Sequence, residues 1–269
     1  MGEIKTTLGV IGAGSMGGAI ARGLVLSGAL DPADVVVADP AEACCAPLAE
    51  LGIGVATDAY DLVTKDTGVV IIAVKPQILA QVVAPLSAAL EGRLVVSIAA
   101  GTTLATLEQL LPASRVVRVM PNLPIQVLSG ATAITGGTRA TAADLELVRS
   151  LFSALGSAQI MREDQLDAEG AVVSCGPAYV ALAIDAFTRA GVRAGLPASA
   201  CREMFEATML GVCKTLLETG EHPRAYMERV TSPGGTTAAG LYALEPLLEE
   251  GAYAACDAAL ARTAELAQG

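Results

Sequence analysis

Six residues near the N-terminus have the composition and spacing of a phosphate-binding turn. The segment Gly12-Ala13-Gly14-Ser15-Met16-Gly17 follows a short apolar run and opens a stretch with helical spacing. The first glycine permits a tight turn, the second lets a pyrophosphate approach the backbone, and the third allows close packing of helix on strand. The helix N-terminus would direct its N–H groups at the phosphates. The pattern predicts a dinucleotide-binding turn, and a glycine-rich turn without a ligand is the alternative.

An acidic residue, Asp39, stands 22 residues after Gly17, where a second apolar run ends. A carboxylate at this position accepts hydrogen bonds from ribose hydroxyls and repels a 2′-phosphate. Residues 23–64 contain no Lys or Arg that would neutralise such a phosphate. Asp39 therefore favours NADH over NADPH, and an exposed aspartate in an ordinary turn is the alternative.

Three more segments follow β-branched runs farther along the chain, namely Ala73-Val74-Lys75-Pro76, Ala99-Ala100-Gly101 and Met120-Pro121-Asn122. Ligands of open α/β sheets bind at the carboxyl ends of the strands, so we expect these segments to line the cofactor site. Their small residues would let a cofactor lie flat. Asn122 would hydrogen-bond the nicotinamide amide or its ribose, whereas Lys75 is equally well explained as a solvated charge at a strand end.

A second candidate site lies in the loop Thr231-Ser232-Pro233-Gly234-Gly235-Thr236-Thr237, which precedes a helical stretch near 238–248. The two glycines would expose successive N–H groups, and Ser232 and Thr236 would add hydroxyls. The positive end of the following helix points at whatever binds there. The loop therefore predicts an anion site suited to a carboxylate, with a plain N-cap and turn as the alternative.

The elements that must position these residues divide the chain into two parts. Residues 8–134 alternate between helical stretches and β-branched runs, which predicts an α/β, Rossmann-type parallel sheet covered on both faces. We place the strands at 8–11, 35–37, 69–74, 94–98 and 116–117, with weaker ones near 54–55 and 131–134.

From about Asp144 onward, strand-like runs nearly vanish and alanine- and leucine-rich helices dominate. We therefore predict a dinucleotide-binding domain at 1–160 and an all-helical substrate and dimerisation domain at 161–269. The stretch 178–186 is apolar nearly all round and must be enclosed, which predicts that this half packs against its copy in a homodimer.

Composition restricts the partners and the chemistry. The net charge of −11, the pI near 4.6 and the 3% aromatic content argue against nucleic acid and against anionic membrane surfaces. Six cysteines without C-x-x-C spacing and a single histidine, His222, argue against a metal site. Unpaired cysteines are typical of a reducing compartment, so we expect a cytoplasmic protein.

Taken together, these motifs resemble those of the pyrroline-5-carboxylate reductase family, and they span nearly the whole chain. Besides the glycine turn and the 232–237 loop, they comprise Val74-Lys75-Pro76-Gln77, Met120-Pro121-Asn122, Gly176-Pro177-Ala178-Tyr179-Val180 and Glu218-Thr219-Gly220-Glu221-His222-Pro223. The loop motif is highly specific for the family, whereas the glycine turn is shared by all Rossmann reductases.

The resemblance implies reduction of 1-pyrroline-5-carboxylate to L-proline by NAD(P)H, the last step of proline synthesis, in a dimer or larger assembly. It places the substrate carboxylate on Ser232, Gly234, Gly235 and Thr236, and the ring nitrogen at the Thr237 hydroxyl, which makes Thr237 the catalytic candidate. His222 would be structural.

Three alternatives stay open. Leu123, Ile125, Val173-Ser174-Cys175 and residues 225–229 depart from the family pattern, so a different cyclic imine carboxylate is one alternative. A second is a β-hydroxyacid dehydrogenase-like reductase with a catalytic lysine, for which Lys214 is the only lysine beyond Lys75. A third, from another class, is a non-catalytic NAD-binding sensor.

Overall fold

The computed structural model describes residues 4–268, with side chains described to residue 265. An eight-stranded sheet has the order β3-β2-β1-β4-β5-β6-β7-β8. The strands are β1 Leu8–Ile11, β2 Val35–Ala38, β3 Gly54–Val55, β4 Val69–Ile72, β5 Leu94–Ser97, β6 Arg115–Pro121, β7 Gly130–Gly136 and β8 Gly156–Ile160. All neighbouring pairs are parallel except β6 and β7.

The predicted α/β fold is confirmed, and every strand expected from the sequence is present. Strands β1, β4 and β5 are buried along their whole length, which explains their unbroken runs of apolar residues. Two apolar clusters, one containing Val10 and Phe152 and the other Ile72 and Leu107, form the core. Strand β8 was not predicted, because its residues are mostly exposed and only Ile160 among the five is β-branched.

Helices alternate with the strands as far as β8, and beyond β8 the described part of the chain contains only helices and the loops between them. The helices are α1 Ser15–Leu26, α2 Glu42–Ala49, α3 Ala59–Thr64, α4 Pro76–Val83, α5 Leu104–Leu110, α6 Ala142–Ser153, α7 Leu166–Glu169, α8 Gly176–Arg193, α9 Ala198–Thr219, α10 Pro223–Arg229 and α11 Thr236–Gln268. A π-helical turn, Gly170–Ser174, joins α7 to α8. Helix α11 contains the helical stretch expected near 238–248 and continues from it to Gln268 without a break.

The chain separates into two compact units, one of residues 1–174 with 260–269 and one of residues 175–259. The boundary near residue 160 stays a prediction. In the second unit, no residue of α8, α9 or α10 is buried. Large apolar side chains are exposed there, including Leu210, Leu217 and Tyr242.

One helical stretch, Glu163–Arg193, is long and apolar enough to cross a membrane by length and composition alone. Only 6% of its most apolar window is buried, and the rest of the stretch is mostly exposed or half-buried. A core helix or an interface helix passes the same test, so this feature by itself is weak evidence for a membrane span.

Candidate active site

The glycine turn lies where the sequence places it, between β1 and the first residue of α1. Gly12 has φ +97°, and a Cβ there would lie 2.6 Å from the Ala73 carbonyl oxygen, so only glycine fits. A Cβ on Gly17 would overlap the Gly12 carbonyl oxygen. The fold itself therefore requires glycine at both of these positions.

Gly14 differs from its two neighbouring glycines. It has φ −65°, in a region that any residue adopts, and a Cβ built on it meets no protein atom within 4 Å. Neither backbone strain nor packing explains glycine here. A ligand phosphate that approaches the start of α1 would occupy the open space, so the turn fits the pyrophosphate of a dinucleotide.

Asp39 follows β2 and fixes the glycine turn with its carboxylate. Its Oδ2 accepts a hydrogen bond from the Ala13 N–H at 2.8 Å, and its Oδ1 accepts one from the Ala41 N–H, also at 2.8 Å. Each oxygen keeps a second lone pair that a ribose hydroxyl can use. Asp39 therefore has a structural role that sequence reasoning missed, besides its predicted role toward the ribose.

A cleft of about 560 Å³ opens beside Asp39 and is lined by a second acidic residue, Glu42. The rest of its lining comes from Pro40, Cys45, Ala46, Ala49, Val55, Ala56 and Thr57. Two carboxylates and no cationic side chain therefore line this cleft in the part of the chain that the structure describes. Glu42 has no sequence signal of its own apart from its position three residues after Asp39.

The sheet brings the other predicted cofactor segments to the same edge. Ile11, Ile72 and Ser97 are register partners across β1, β4 and β5, so the segments that follow these strands are neighbours. The Ala73 N–H donates to the Ile11 carbonyl at 2.8 Å. Lys75 is exposed and precedes α4, and Ala100 and Gly101 are exposed after β5.

Asn122 follows β6 and is largely committed to protein contacts. Its Nδ2 donates to the Val173 carbonyl at 3.1 Å, and its Oδ1 accepts from the Ala131 N–H at 2.8 Å. Only 8% of the residue is exposed. It therefore fastens the π-helical turn to the end of β6, and its contact with nicotinamide stays a prediction.

The loop of residues 231–237 lies in the second unit and leads directly into α11. Gly234 has φ +72°, and the Gly235 N–H donates to the Ser232 carbonyl at 3.0 Å. This hydrogen bond within the turn already uses the Gly235 N–H, which is one of the two backbone amides expected to bind an anion. Ser232, Thr236 and Thr237 are exposed, and the two threonines occupy the first turn of α11, where unpaired N–H groups favour an anion.

Comparisons with known proteins agree with this arrangement of motifs. Residues 163–266 match the family described as pyrroline-5-carboxylate reductase dimerisation, and residues 7–101 match the family described as NADP oxidoreductase coenzyme F420-dependent. The pyrroline-5-carboxylate reductase of Methanosarcina acetivorans is 38% identical over 96% of this chain and 95% of that protein.

Two solved structures are similar over the full length. A pyrroline-5-carboxylate reductase from Coxiella burnetii has a TM-score of 0.92 at 32% identity, covering 97% of this chain and 98% of that one. The Plasmodium falciparum pyrroline carboxylate reductase with NADP bound has a TM-score of 0.86 at 26% identity, covering 99% and 100%. The chain therefore belongs to the pyrroline-5-carboxylate reductase family.

Proposed function

We propose that this protein reduces 1-pyrroline-5-carboxylate to L-proline by hydride transfer from a nicotinamide dinucleotide, the last step of proline biosynthesis. The observation that carries the proposal is the intact Ser232-Pro233-Gly234-Gly235-Thr236-Thr237 loop in a chain that also keeps an open phosphate-binding turn at Gly14. The names of its close relatives support the same substrate. A related cyclic imine carboxylate remains the alternative substrate.

The first unit would hold the dinucleotide. The N–H groups at the start of α1 would bind the pyrophosphate, Asp39 the ribose, and the segments 73–76, 99–101 and 120–122 the nicotinamide half. When bound, the nicotinamide supplies a hydride from its C4 atom. The chain's contribution is to fix the orientation of that ring and to keep the glycine turn rigid through the Asp39 to Ala13 hydrogen bond.

The loop of residues 231–237 would hold the substrate. Its carboxylate would bind the Gly234 N–H and the Ser232 and Thr236 hydroxyls, at the positive end of α11. The Gly235 N–H would join them only by giving up its hydrogen bond to the Ser232 carbonyl. The Thr237 hydroxyl would meet the ring nitrogen. Protonation of this nitrogen makes the adjacent carbon electrophilic. The chain's part would be to orient that carbon toward the hydride donor, with the Thr237 hydroxyl at the protonated nitrogen, so orienting the substrate matters more than supplying a strong base.

The experiment that tests this function is a turnover assay on the purified protein. We expect NADH oxidation that depends on added 1-pyrroline-5-carboxylate, and a panel of cyclic imine carboxylates of other ring sizes should react more slowly. Binding of NADH without turnover of any imine would favour the alternative of a non-catalytic sensor.

NADH is the expected cofactor, because Asp39 and Glu42 both line the cleft beside the ribose position. We predict that Glu42→Arg raises the ratio of kcat/KM for NADPH to that for NADH by about 10-fold, since an added cation pairs with the 2′-phosphate. Glu50→Gln, on an exposed carboxylate after α2, is the matched control and should leave the ratio unchanged. An equal ratio in Glu42→Arg and the wild type would remove Glu42 from the cofactor site.

Asp39→Ser is also expected to shift the preference toward NADPH, but its effect is mixed. The serine removes the charge that repels the 2′-phosphate, and it also removes the acceptor of the Ala13 N–H. We therefore expect weaker binding of both cofactors together with the shift. Glu42 makes no such contact with the turn, so its variant reports cofactor choice more cleanly.

Lys214 distinguishes this function from that of a lysine-dependent reductase. Its side chain is 70% exposed and lies 3.8 Å from the Glu218 carboxylate, one helical turn away on α9. We predict that Lys214→Met keeps kcat within about twofold of the wild type, because exposed ion pairs contribute little. A loss of two or more orders of magnitude would favour the lysine-dependent mechanism instead.

A homo-oligomeric assembly, a dimer or larger, accompanies this function. The support is the dimerisation family that matches residues 163–266, together with the exposed apolar side chains of α8 and α9. Burial of such a surface against a second copy is the usual solution for helices of this kind. We propose 1–160 and 161–269 as the functional division, and the six free cysteines suit a cytoplasmic location.

A further inference from the structure

Glu169, the last residue of α7, lies at the sheet edge where the cofactor segments meet. Three contacts fix its surroundings onto β6. The buried Arg118 guanidinium pairs with Glu163 at 3.2 Å and with Asp167 at 3.6 Å. The Asn122 side-chain amide donates a hydrogen bond to the Val173 carbonyl. A Cβ built on the adjacent Gly170 would lie 3.1 Å from the Met120 sulfur. Glu169 therefore lies beside the carboxyl end of β6, where ligands of such sheets bind.

Only one of the two carboxyl oxygens of Glu169 has a hydrogen-bond partner among the described residues. Its Oε2 accepts a hydrogen bond from the Ser174 hydroxyl at 3.3 Å. Its Oε1 is buried and has no hydrogen-bond partner among the described residues. Burial raises the pKa of Glu169 to about 7, and the Ser174 hydroxyl opposes that rise. A buried acceptor without a donor is unusual in a folded protein and indicates a missing partner.

The charged groups on the neighbouring elements do not supply that partner. Arg118, on β6, is already paired with Glu163 and Asp167, which lie on the same segment as Glu169. The reactants of the proposed function offer two donors of one chemical kind. The nicotinamide carboxamide carries an N–H₂ group, and the protonated imine carries a ring N–H.

We propose that Oε1 of Glu169 accepts a hydrogen bond from an N–H group of a bound reactant, so that Glu169 is a further ligand-binding residue of this enzyme. This inference rests on the proposed function. It assigns a role to a residue that lies outside the motifs singled out in the sequence. The role is to orient the reactant through a carboxylate that binds best when ionised.

The test measures the dissociation constant of NADH by fluorescence titration between pH 6 and pH 8, and the KM for 1-pyrroline-5-carboxylate at pH 8. The proteins are the wild type, Glu169→Gln, and Asp164→Asn, which removes an exposed carboxylate on the same segment that pairs with the exposed Arg162 and serves as the control for charge removal. A carboxyl that titrates near pH 7 and binds a donor when ionised strengthens wild-type NADH binding up to about 10-fold across this range. In Glu169→Gln this pH dependence is absent, and affinity at pH 8 falls about 10-fold.

An acetylpyridine analogue of NADH, which lacks the carboxamide N–H₂, separates the two sources. If the carboxamide is the donor, the analogue binds the wild type without the pH dependence and binds Glu169→Gln equally well. If the ring nitrogen is the donor, the dissociation constant of NADH is the same for all three proteins. Only the KM of Glu169→Gln for 1-pyrroline-5-carboxylate then rises, by about 10-fold.

Wild-type protein that binds NADH, with both constants unchanged in Glu169→Gln, would overturn this inference alone. So would a Glu169→Gln variant that changes only the dissociation of subunits. Wild-type protein that binds no NADH would overturn the proposed function as well. Should Glu169→Gln fail to fold, Glu169→Asp is the second variant. It keeps the negative charge, but its side chain is one methylene shorter, so the carboxylate oxygens lie farther from the donor and the same losses of affinity are expected.

Discussion

Replacing Gly14 with alanine is expected to weaken NADH binding by about 10- to 100-fold while leaving the protein folded. The new methyl group meets no protein atom within 4 Å, so the fold accommodates it. It occupies the space where the pyrophosphate approaches the start of α1, and overpacking a close contact costs about 1–3 kcal/mol. Fluorescence titration with NADH measures the loss, and thermal unfolding measures the stability.

Two variants make the Gly14 result interpretable. Gly12→Ala should destabilise the fold itself, because of the +97° φ angle and the nearby Ala73 carbonyl. Gly211→Ala, inside α9, also adds a methyl group in open space; it should leave NADH affinity unchanged and stabilise the helix by about 0.5–1 kcal/mol. If Gly14→Ala binds NADH as tightly as the wild type, the pyrophosphate does not lie on this turn.

Thr237→Ala is expected to lower kcat/KM by about 10- to 100-fold. The hydroxyl lies exposed in the first turn of α11, where it is available to the substrate. A hydrogen bond to a charged group contributes about 1.5–3 kcal/mol, and its loss in the transition state lowers kcat/KM accordingly. Steady-state kinetics at saturating NADH, with the imine varied, measure the effect.

The control for this variant is Thr215→Ala, which removes a hydroxyl bonded to its own helix backbone on α9. It should leave kcat/KM within about twofold of the wild type. Thr237→Ser restores a hydroxyl and should recover most of the activity. Unchanged kinetics in Thr237→Ala would remove this residue from the site.

The parts of the fold predicted correctly are those where burial determines the residue types. The strands β1, β4 and β5 are covered on both faces, so their β-branched runs stand out. The glycine turn could also be predicted from the sequence, because backbone geometry and packing require two of its glycines. Strand β8 escaped prediction because an exposed edge strand needs no apolar pattern.

Other features of the site depend on contacts that no local pattern encodes. Asp39 and Asn122 were correctly noticed as polar residues at strand ends, but their bonds to Ala13 and Val173 join segments far apart in sequence. Glu169 is half-buried beside the π-helical turn, and its sequence neighbours give no sign of that burial. The single helix α11 could not be foreseen, since Pro246 lies within it and normally indicates an end.

Hydride transfer from the nicotinamide to the imine carbon can be followed with an isotope label, because the transferred atom stays in the product. The purified protein would be incubated with 1-pyrroline-5-carboxylate and NADH deuterated on both faces of C4. We predict proline with one deuterium at the former imine carbon, formed one for one with the NADH consumed. Oxidation of NADH without deuterium in proline, or no oxidation at all, would show that the proposed reaction does not take place.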